Sequence, residues 1–274
     1  EVKPIPDVTN LTTNSAICSG TNAVFTVTGT PNGTITYSIN AASPVTTNLN
    51  ASGVGTITIP NATANVSINI SQISNGTCSK TLALNQTITV LALPSITSIT
   101  SNSPICPNET AVFTINGTAN ATVAYTVNGV TATPIVLNAS GSQQIQLPNI
   151  QSNVTVTLST INDGVCNAAL TNSLTVMVNP VATTPTISAK SETFCIGEEV
   201  LFNVTGGAND TVTYTVNGGA NQTLVLNASG TGEIIITNPA MLIDVDLVSV
   251  TNGLCAKPIT VSDEAEVISC LIPK

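Results

Sequence analysis

The sequence predicts an all-β protein made of three tandem copies of one module, each a sandwich of about seven short strands. Three observations support this fold class. Cysteines recur at a fixed spacing, apolar residues alternate with polar ones in short segments, and Gly, Asn and Pro separate those segments. The 274 residues are 42% hydrophobic and only 7% charged, a composition that favours a packed core over disorder.

The spacing of the cysteines defines the repeat. An interval of 60 positions separates a first from a second cysteine in each copy: Cys18 and Cys78, Cys106 and Cys166, Cys195 and Cys255. Other residues keep a constant offset from the first cysteine: Phe25, Phe113 and Phe202; Tyr37, Tyr125 and Tyr214; Asn40, Asn128 and Asn217. We therefore divide the chain into copy 1 (1–94), copy 2 (95–181) and copy 3 (182–274), joined by short Thr-, Ser- and Pro-containing linkers.

Within each copy the hydrophobic period is two, which is typical of strands with one buried face. In the segment 34–40, Ile35, Tyr37 and Ile39 point one way and the polar residues between them point the other. The same alternation surrounds Phe25 and recurs through the segments that follow in each copy. About seven such strands in roughly 90 residues are typical of an immunoglobulin-like β-sandwich.

Cysteines that recur in pairs indicate disulfides and an oxidising, extracellular environment. Because the 60-residue interval is constant while the linkers vary, we expect a bond between the first and second cysteine of each copy. The strand count opposes this pairing, since five strands between two cysteines place them at opposite ends of a sandwich. Six buried free thiols are the alternative.

Cys270 has no counterpart in copies 1 and 2. We expect it to be unpaired, as a buried thiol at a strand position where copy 1 has an apolar residue. An intermolecular bridge is the alternative interpretation.

The lack of Arg and His, together with a net charge of −9, excludes several functions. Nucleic acids and anionic membrane surfaces repel such a chain. Catalytic arrangements that need His and zinc sites that need imidazole are impossible. No apolar run approaches the roughly 18 residues of a membrane-spanning helix, so we expect no membrane insertion. The sequence predicts that the protein is not an enzyme and has no catalytic residues.

Acidic residues are concentrated in copy 3. That copy contains ten of the fourteen: Glu192, Glu198, Glu199, Asp210, Glu233, Asp244, Asp246, Asp263, Glu264 and Glu266. Asp244 and Asp246 alternate with apolar residues, so both side chains should lie on the outward face of one strand. We expect this face of the strand to be solvated, and a calcium site at Asp244 and Asp246 is the alternative. No cofactor and no metal are otherwise expected.

The tetrapeptide Asn-Ala-Ser-Gly begins at Asn50, Asn138 and Asn227, at the same offset in every copy. It lies between two alternating segments, which predicts a hairpin turn whose Gly supplies the positive φ. The tetrapeptide also matches the acceptor pattern for N-glycosylation.

The first cysteines lie in three related motifs, each followed by an alternating strand and, later, by Asn-Gly-x-Cys or Asp-Gly-x-Cys. The motifs are Ile17-Cys18-Ser19-Gly20, Ile105-Cys106-Pro107-Asn108 and Phe194-Cys195-Ile196-Gly197. On these motifs nearly the whole chain resembles the immunoglobulin-like or PKD-like tandem repeats of large Bacteroidetes cell-surface adhesins of the gliding-motility or biofilm type. Many such repeats have Trp where this chain has Tyr37, and their usual C-terminal sorting domain is missing. The missing sorting domain implies a fragment of a longer protein or a different secretion route.

The resemblance implies a cell-surface or secreted location and a role in adhesion or as a stalk. Similar modules joined by short Pro-containing linkers predict a semi-rigid spacer. We therefore expect a non-catalytic structural or adhesive repeat segment, with other copies of the repeat, other surface proteins or surface glycans as partners. One alternative is a binding module with a calcium or glycan site in copy 3. Another is a surface filament subunit that assembles through exposed edge strands.

Overall fold

The computed structural model describes residues 4–268 and Cys270. In that part of the chain all regular secondary structure is β-strand. None of these residues forms a helix with the length and hydrophobicity needed to cross a bilayer. The chain divides into two compact units. Unit 1 contains residues 4–99, 115–143 and 157–172, and unit 2 contains 100–114, 144–156, 173–268 and Cys270. This division runs through copy 2, so the boundaries near 94 and 181 stay predictions.

Copy 1 forms two sheets with separate sets of strands. Its strands are β1 (Val8–Thr13), β2 (Ile17–Cys18), β3 (Thr21–Gly29), β4 (Thr34–Ile39), β5 (Val45–Asn48), β6 (Val54–Ala62), β7 (Val66–Ser74), β8 (Ser79–Ile88) and β9 (Val90–Leu91). One sheet has the order β1-β3-β6 and the other β5-β4-β7-β8, while β2 and β9 form a short parallel pair. Seven longer strands in two sheets confirm the predicted immunoglobulin-like architecture.

The core of copy 1 lies between these two sheets. Phe25 of β3 and Ile57 of β6 come from one sheet, and Ile35 of β4 and Ile70 of β7 come from the other. Tyr37 packs against the edge of the same cluster. Phe25, Phe113 and Phe202 are each fully buried. The alternation in the sequence therefore identified the buried face, and these Phe rings are its largest fully buried side chains.

The strands of copy 2 also form two sheets. Its strands are β10 (Ile96–Ser101), β11 (Ala111–Gly117), β12 (Thr122–Val127), β13 (Val130–Thr131), β14 (Ile135–Val136), β15 (Ser142–Leu147), β16 (Val154–Asn162), β17 (Asn167–Ala169) and β18 (Ser173–Val176). One sheet has the order β10-β11-β15. The other has the order β13-β12-β16-β17, with β14 paired to β12 and β18 paired to β16.

Copy 3 has the same two-sheet plan with a longer last strand. Its strands are β19 (Thr186–Ala189), β20 (Thr193–Cys195), β21 (Val200–Thr205), β22 (Thr211–Val216), β23 (Gln222–Val225), β24 (Thr231–Ile236), β25 (Ile243–Thr251) and β26 (Ala256–Ile268). The sheets have the orders β19-β21-β24 and β20-β26-β25-β22-β23. Strand β26 replaces the separate β8 and β9 of copy 1 and pairs in parallel with β20.

The Asn-Ala-Ser-Gly turn joins β5 to β6, which belong to different sheets. The predicted turn is present, but the prediction of a hairpin is wrong because the chain crosses here from one sheet to the other. The Asn50 side-chain oxygen accepts hydrogen bonds from the Ser52 and Val54 amides, both at 2.9 Å. Gly53 has a φ of +77°, and a Cβ atom there would lie 2.1 Å from the Gly29 carbonyl oxygen. Gly is therefore required at this position.

Asp210 interrupts the core of copy 3. It occupies the position of Gly33 in copy 1 and Ala121 in copy 2, and only 4% of it is exposed. Its Oδ2 atom is buried and has no hydrogen-bond partner in the described part of the chain. A buried polar atom without a partner loses its hydration and gains nothing in return.

We expect Asp210→Ala to raise the free energy of unfolding of copy 3 by roughly 1–3 kcal/mol, because it removes this unsatisfied group. Guanidinium denaturation of the variant and the parent chain measures the change. Glu233→Ala, at an exposed position, is the matched control and should stay within about 0.5 kcal/mol of the parent. A loss of stability in Asp210→Ala would show that the carboxylate is satisfied.

Candidate functional site at the cysteines

The first cysteine of each copy lies just before a tight turn. Cys18 ends β2 and is paired with Leu91 of β9. Cys195 ends β20 and is paired in the same way with Ile268 of β26. Two residues after the cysteine, the backbone has a positive φ in all copies: Gly20 (+85°), Asn108 (+70°) and Gly197 (+87°). The three sequence motifs therefore form one common turn.

Side chains three residues after the first cysteine fix this turn. The Cys106 amide donates a hydrogen bond to Glu109 at 2.8 Å, and the Cys195 amide donates to Glu198 at 3.1 Å. In copy 1 the Thr21 hydroxyl donates instead to the carbonyl of the first cysteine, at 2.6 Å. Hydrogen bonds within each turn thus fix the backbone around the first cysteine independently of the contacts of its sulfur.

The second cysteine of each copy ends a turn between two adjacent strands. In copy 1 this turn joins β7 to β8, and the Asn75 side-chain oxygen accepts hydrogen bonds from the Thr77 and Cys78 amides. The bond to the cysteine amide recurs in all copies: Asn75 to Cys78 (2.8 Å), Asp163 to Cys166 (2.7 Å) and Asn252 to Cys255 (3.0 Å). These turns present the three second cysteines in the same way.

The turn of copy 2 has a charged residue at this position. Hydrogen bonds from the Cys166 and Val165 amides hold the pKa of the Asp163 carboxyl below its ordinary value. These bonds favour the ionised form, so the turn is most stable when Asp163 is charged.

Disulfides join the copies. Cys18 is bonded to Cys166 and Cys106 to Cys255, and the Cα atoms of both pairs are 5.7 Å apart. The first bond lies within unit 1 and the second within unit 2. In both, the first cysteine of one copy is bonded to the second cysteine of the next, across sequence separations of 148 and 149 residues.

The expected pairing within each copy is therefore wrong, as the bonds to Cys166 and Cys255 show. Cys18 lies beside β9, whereas Cys78 lies just before β8, the strand that precedes β9 in the same sandwich. The ten residues of β8 alone span roughly 33 Å, far more than a disulfide can bridge. The two cysteines lie at opposite ends of the sandwich, as the predicted number of strands between them implied.

The expectation for Cys270 is also wrong. Cys270 is bonded to Cys195, with a Cα separation of 5.6 Å, and it is exposed. Cys195 thus has a partner from its own copy. Among the described residues Cys78 is the free cysteine.

The immediate surroundings of the two inter-copy bonds are equivalent. The sulfur of Cys18 lies 3.7 Å from the Val165 carbonyl oxygen, and that of Cys106 lies 3.6 Å from the Leu254 carbonyl oxygen. Cys166 and Cys255 are each only 1% exposed. The two inter-copy disulfides therefore have the same local surroundings.

The acidic residues of copy 3 do not form a comparable site. In the β25–β26 pair Asp244 lies opposite Glu264, and Asp246 lies opposite Ser262. Across the described ranges, no group of three or more acidic, Cys or His residues is placed to hold a metal ion. A calcium site at Asp244 and Asp246 therefore stays a prediction.

The inter-copy pairing had a signal in the sequence. If each first cysteine is paired with the second cysteine of the following copy, Cys18 is joined to Cys166 and Cys106 to Cys255. Cys78 and Cys195 then have no partner in this scheme. Cys270 then provides a partner for Cys195. The seventh cysteine and the strand-count objection together favoured this solution over pairing within each copy.

No protein family model and no curated protein sequence matches this chain. Among solved structures, a Glu-to-Ala variant of three titin immunoglobulin domains is 12% identical, covers 97% of this chain and 99% of its own, and has a TM-score of 0.49. The FN1–FN3 domains of chicken CNTN1 are 11% identical, cover 96% of this chain and 98% of their own, and have a TM-score of 0.36.

The Escherichia coli alpha-2-macroglobulin is 10% identical with a TM-score of 0.27, and the match covers 94% of this chain. This chain spans only 23% of that protein's length. At these identities and TM-scores the similarities carry no argument about function.

Proposed function

We propose that the chain is a non-catalytic structural repeat segment of an extracellular protein, in which disulfides between successive copies stiffen a stalk. The observation that carries the proposal is the pairing of Cys18 with Cys166 and of Cys106 with Cys255. A bond within a copy would stabilise that copy alone. A bond between copies also restricts the linker that joins them, which is the property that a spacer needs.

The disulfides also support an extracellular location. Three bonds connect six of the seven cysteines, and cytosolic proteins rarely keep such bonds oxidised. A charged fraction of only 7% and an abundance of Thr, Asn and Ser give a surface whose solubility depends on hydroxyl and amide groups.

The test is to measure the distance between two spin labels, one in copy 1 and one in copy 3, by pulsed electron paramagnetic resonance. Labels attached by non-thiol chemistry leave the cysteines intact. We expect a narrow distance distribution in the oxidised chain and a clearly broader one after Cys18, Cys166, Cys106 and Cys255 are all changed to Ala.

The matched control removes Cys195 and Cys270, whose bond lies within copy 3. This control should leave the distribution as narrow as in the parent chain. Equal widths in all three proteins would contradict a stiffening role for the inter-copy bonds.

We further propose that the segment belongs to a surface adhesin of the gliding-motility or biofilm type, with other repeat copies, surface proteins or glycans as partners. The motifs around Cys18, Cys106 and Cys195 support this assignment through the resemblance given above. A glycan array and calorimetry with calcium separate a spacer from a binding module. Saturable binding in either assay would favour the binding module.

A further inference from the structure

The pairing of the cysteines follows a rule that copy 1 leaves incomplete. The second cysteine of copy 2 and that of copy 3 are each bonded to the first cysteine of the preceding copy, as Cys166 and Cys255 show. Cys78 is the second cysteine of copy 1, and it is free. The equivalent position is therefore bonded in both of the other copies.

The turn around Cys78 is already in the bonded form. Its amide donates to the Asn75 side chain at 2.8 Å, as the amides of Cys166 and Cys255 do to Asp163 and Asn252. The residue after each of these capping side chains has a similar positive φ: Gly76 (+83°), Gly164 (+92°) and Gly253 (+83°). Forming a bond at Cys78 thus needs no rearrangement of its backbone.

Burial separates Cys78 from its two counterparts. Cys166 and Cys255 are 1% exposed, whereas Cys78 is partly exposed. Cys78 is thus not enclosed as its two counterparts are, while the geometry of its turn is that of a bonded cysteine.

The complementary position is Cys195, the first cysteine of copy 3. It ends a strand that pairs in parallel with the last strand of its copy, as Cys18 does. Its amide is held by Glu198 as that of Cys106 is held by Glu109. Cys195 is bonded to Cys270, an exposed residue without a counterpart in the other copies. The turn therefore matches the two that are bonded to a following copy.

We propose that Cys78 is a linkage site that forms a disulfide with the first cysteine of another copy of this module. On a second molecule of this chain that cysteine is Cys195. Repetition of this bond would join molecules head to tail. Each linkage would have the same pairing of a first with a second cysteine as Cys18–Cys166. The inference rests on the disulfide pattern and does not depend on the proposed stalk function.

The bond forms by thiol–disulfide exchange. The Cys78 thiolate attacks the sulfur of Cys195, the Cys195–Cys270 bond breaks, and Cys270 leaves as a thiolate that takes a proton from water. One disulfide is lost and one is gained, so no oxidant is consumed. In a chain with Cys270→Ser, Cys195 is a free thiol, and the same bond then requires an oxidant such as oxidised glutathione.

The test uses the full chain with Cys270→Ser, incubated with oxidised glutathione and analysed by non-reducing electrophoresis and peptide mapping. We expect a ladder at multiples of 27.7 kDa that reducing agent collapses, with linked peptides that contain Cys78 and Cys195. Retention of the bonds Cys18–Cys166 and Cys106–Cys255 in the same map shows that the variant is folded.

Two matched controls add Cys78→Ser or Cys195→Ser to Cys270→Ser, and each should abolish the ladder completely. Three results would overturn the proposal. The first is a folded chain that forms no ladder. The second is a product that contains only Cys78–Cys78 dimers. The third is a Cys78–Cys195 bond found within monomers alone.

Discussion

Replacing Cys18 and Cys166 with Ala is expected to lower the free energy of unfolding of unit 1 by about 5 kcal/mol. The bond closes a loop of 148 residues, and in the chain-entropy model the stabilisation grows with the logarithm of loop length. Guanidinium denaturation followed by peptide-resolved hydrogen exchange measures the change separately in the strands of copy 1 and copy 3. The strands of copy 1 should lose most of the protection.

The matched control is Cys78→Ala, which removes a thiol without a bond. It should change the free energy of unfolding by less than about 0.5 kcal/mol. The pair Cys106→Ala and Cys255→Ala should instead affect copy 3, because that bond lies in unit 2. A loss below about 1 kcal/mol for Cys18 and Cys166 would contradict the stabilisation expected from such a long loop.

Gly53→Ala is expected to destabilise copy 1 by about 3 kcal/mol or more. A non-Gly residue at a positive φ costs about 1–2 kcal/mol, and the added Cβ would also lie far inside the contact distance of a backbone oxygen. That oxygen belongs to Gly29 in β3, so relief of the clash requires movement of a strand in the core. Thermal and guanidinium unfolding of the variant measure the loss.

The variant Gly76→Ala separates the cost of the positive φ from the cost of the clash with a backbone oxygen. Gly76 has a φ of +83°, but an added Cβ would meet nothing within 4 Å. It should cost only the backbone contribution of about 1 kcal/mol. If the two variants lose equal stability, the close approach to Gly29 has no energetic importance.

The fold was predictable because its signals are local and repeated three times. Alternation around Phe25 and Tyr37 identified the strands and the buried face, and the structure places both side chains in or against the core. Sheet membership was not predictable in the same way. The turn after Asn50 has the chemistry of a hairpin, but the pairing partner of β6 is β3, far away in the sequence. Only long-range contacts decide whether such a turn stays in one sheet.

The four cysteines of the inter-copy bonds were predicted to form disulfides, but with the wrong partners, and the states of Cys78 and Cys270 were predicted the wrong way round. A constant interval between cysteines is satisfied equally by pairing within copies and by pairing shifted by one copy, so the interval could not choose between them. For Asp244 and Asp246 the sequence predicted the direction of the side chains but not their neighbours. Their outward direction followed from the alternation, but the alternation could not identify the residues that lie opposite them on the next strand, which are Glu264 and Ser262 of β26.

The three disulfides overlap along the chain, and this has a consequence for damage to the backbone. Their loops cover residues 18–166, 106–255 and 195–270, so every peptide bond from residue 18 to residue 270 lies inside at least one loop. A single cut by a protease anywhere in that range leaves two fragments that are still covalently connected. An extracellular protein built this way would stay in one covalently connected piece after such a cut, until a reductant separates the fragments.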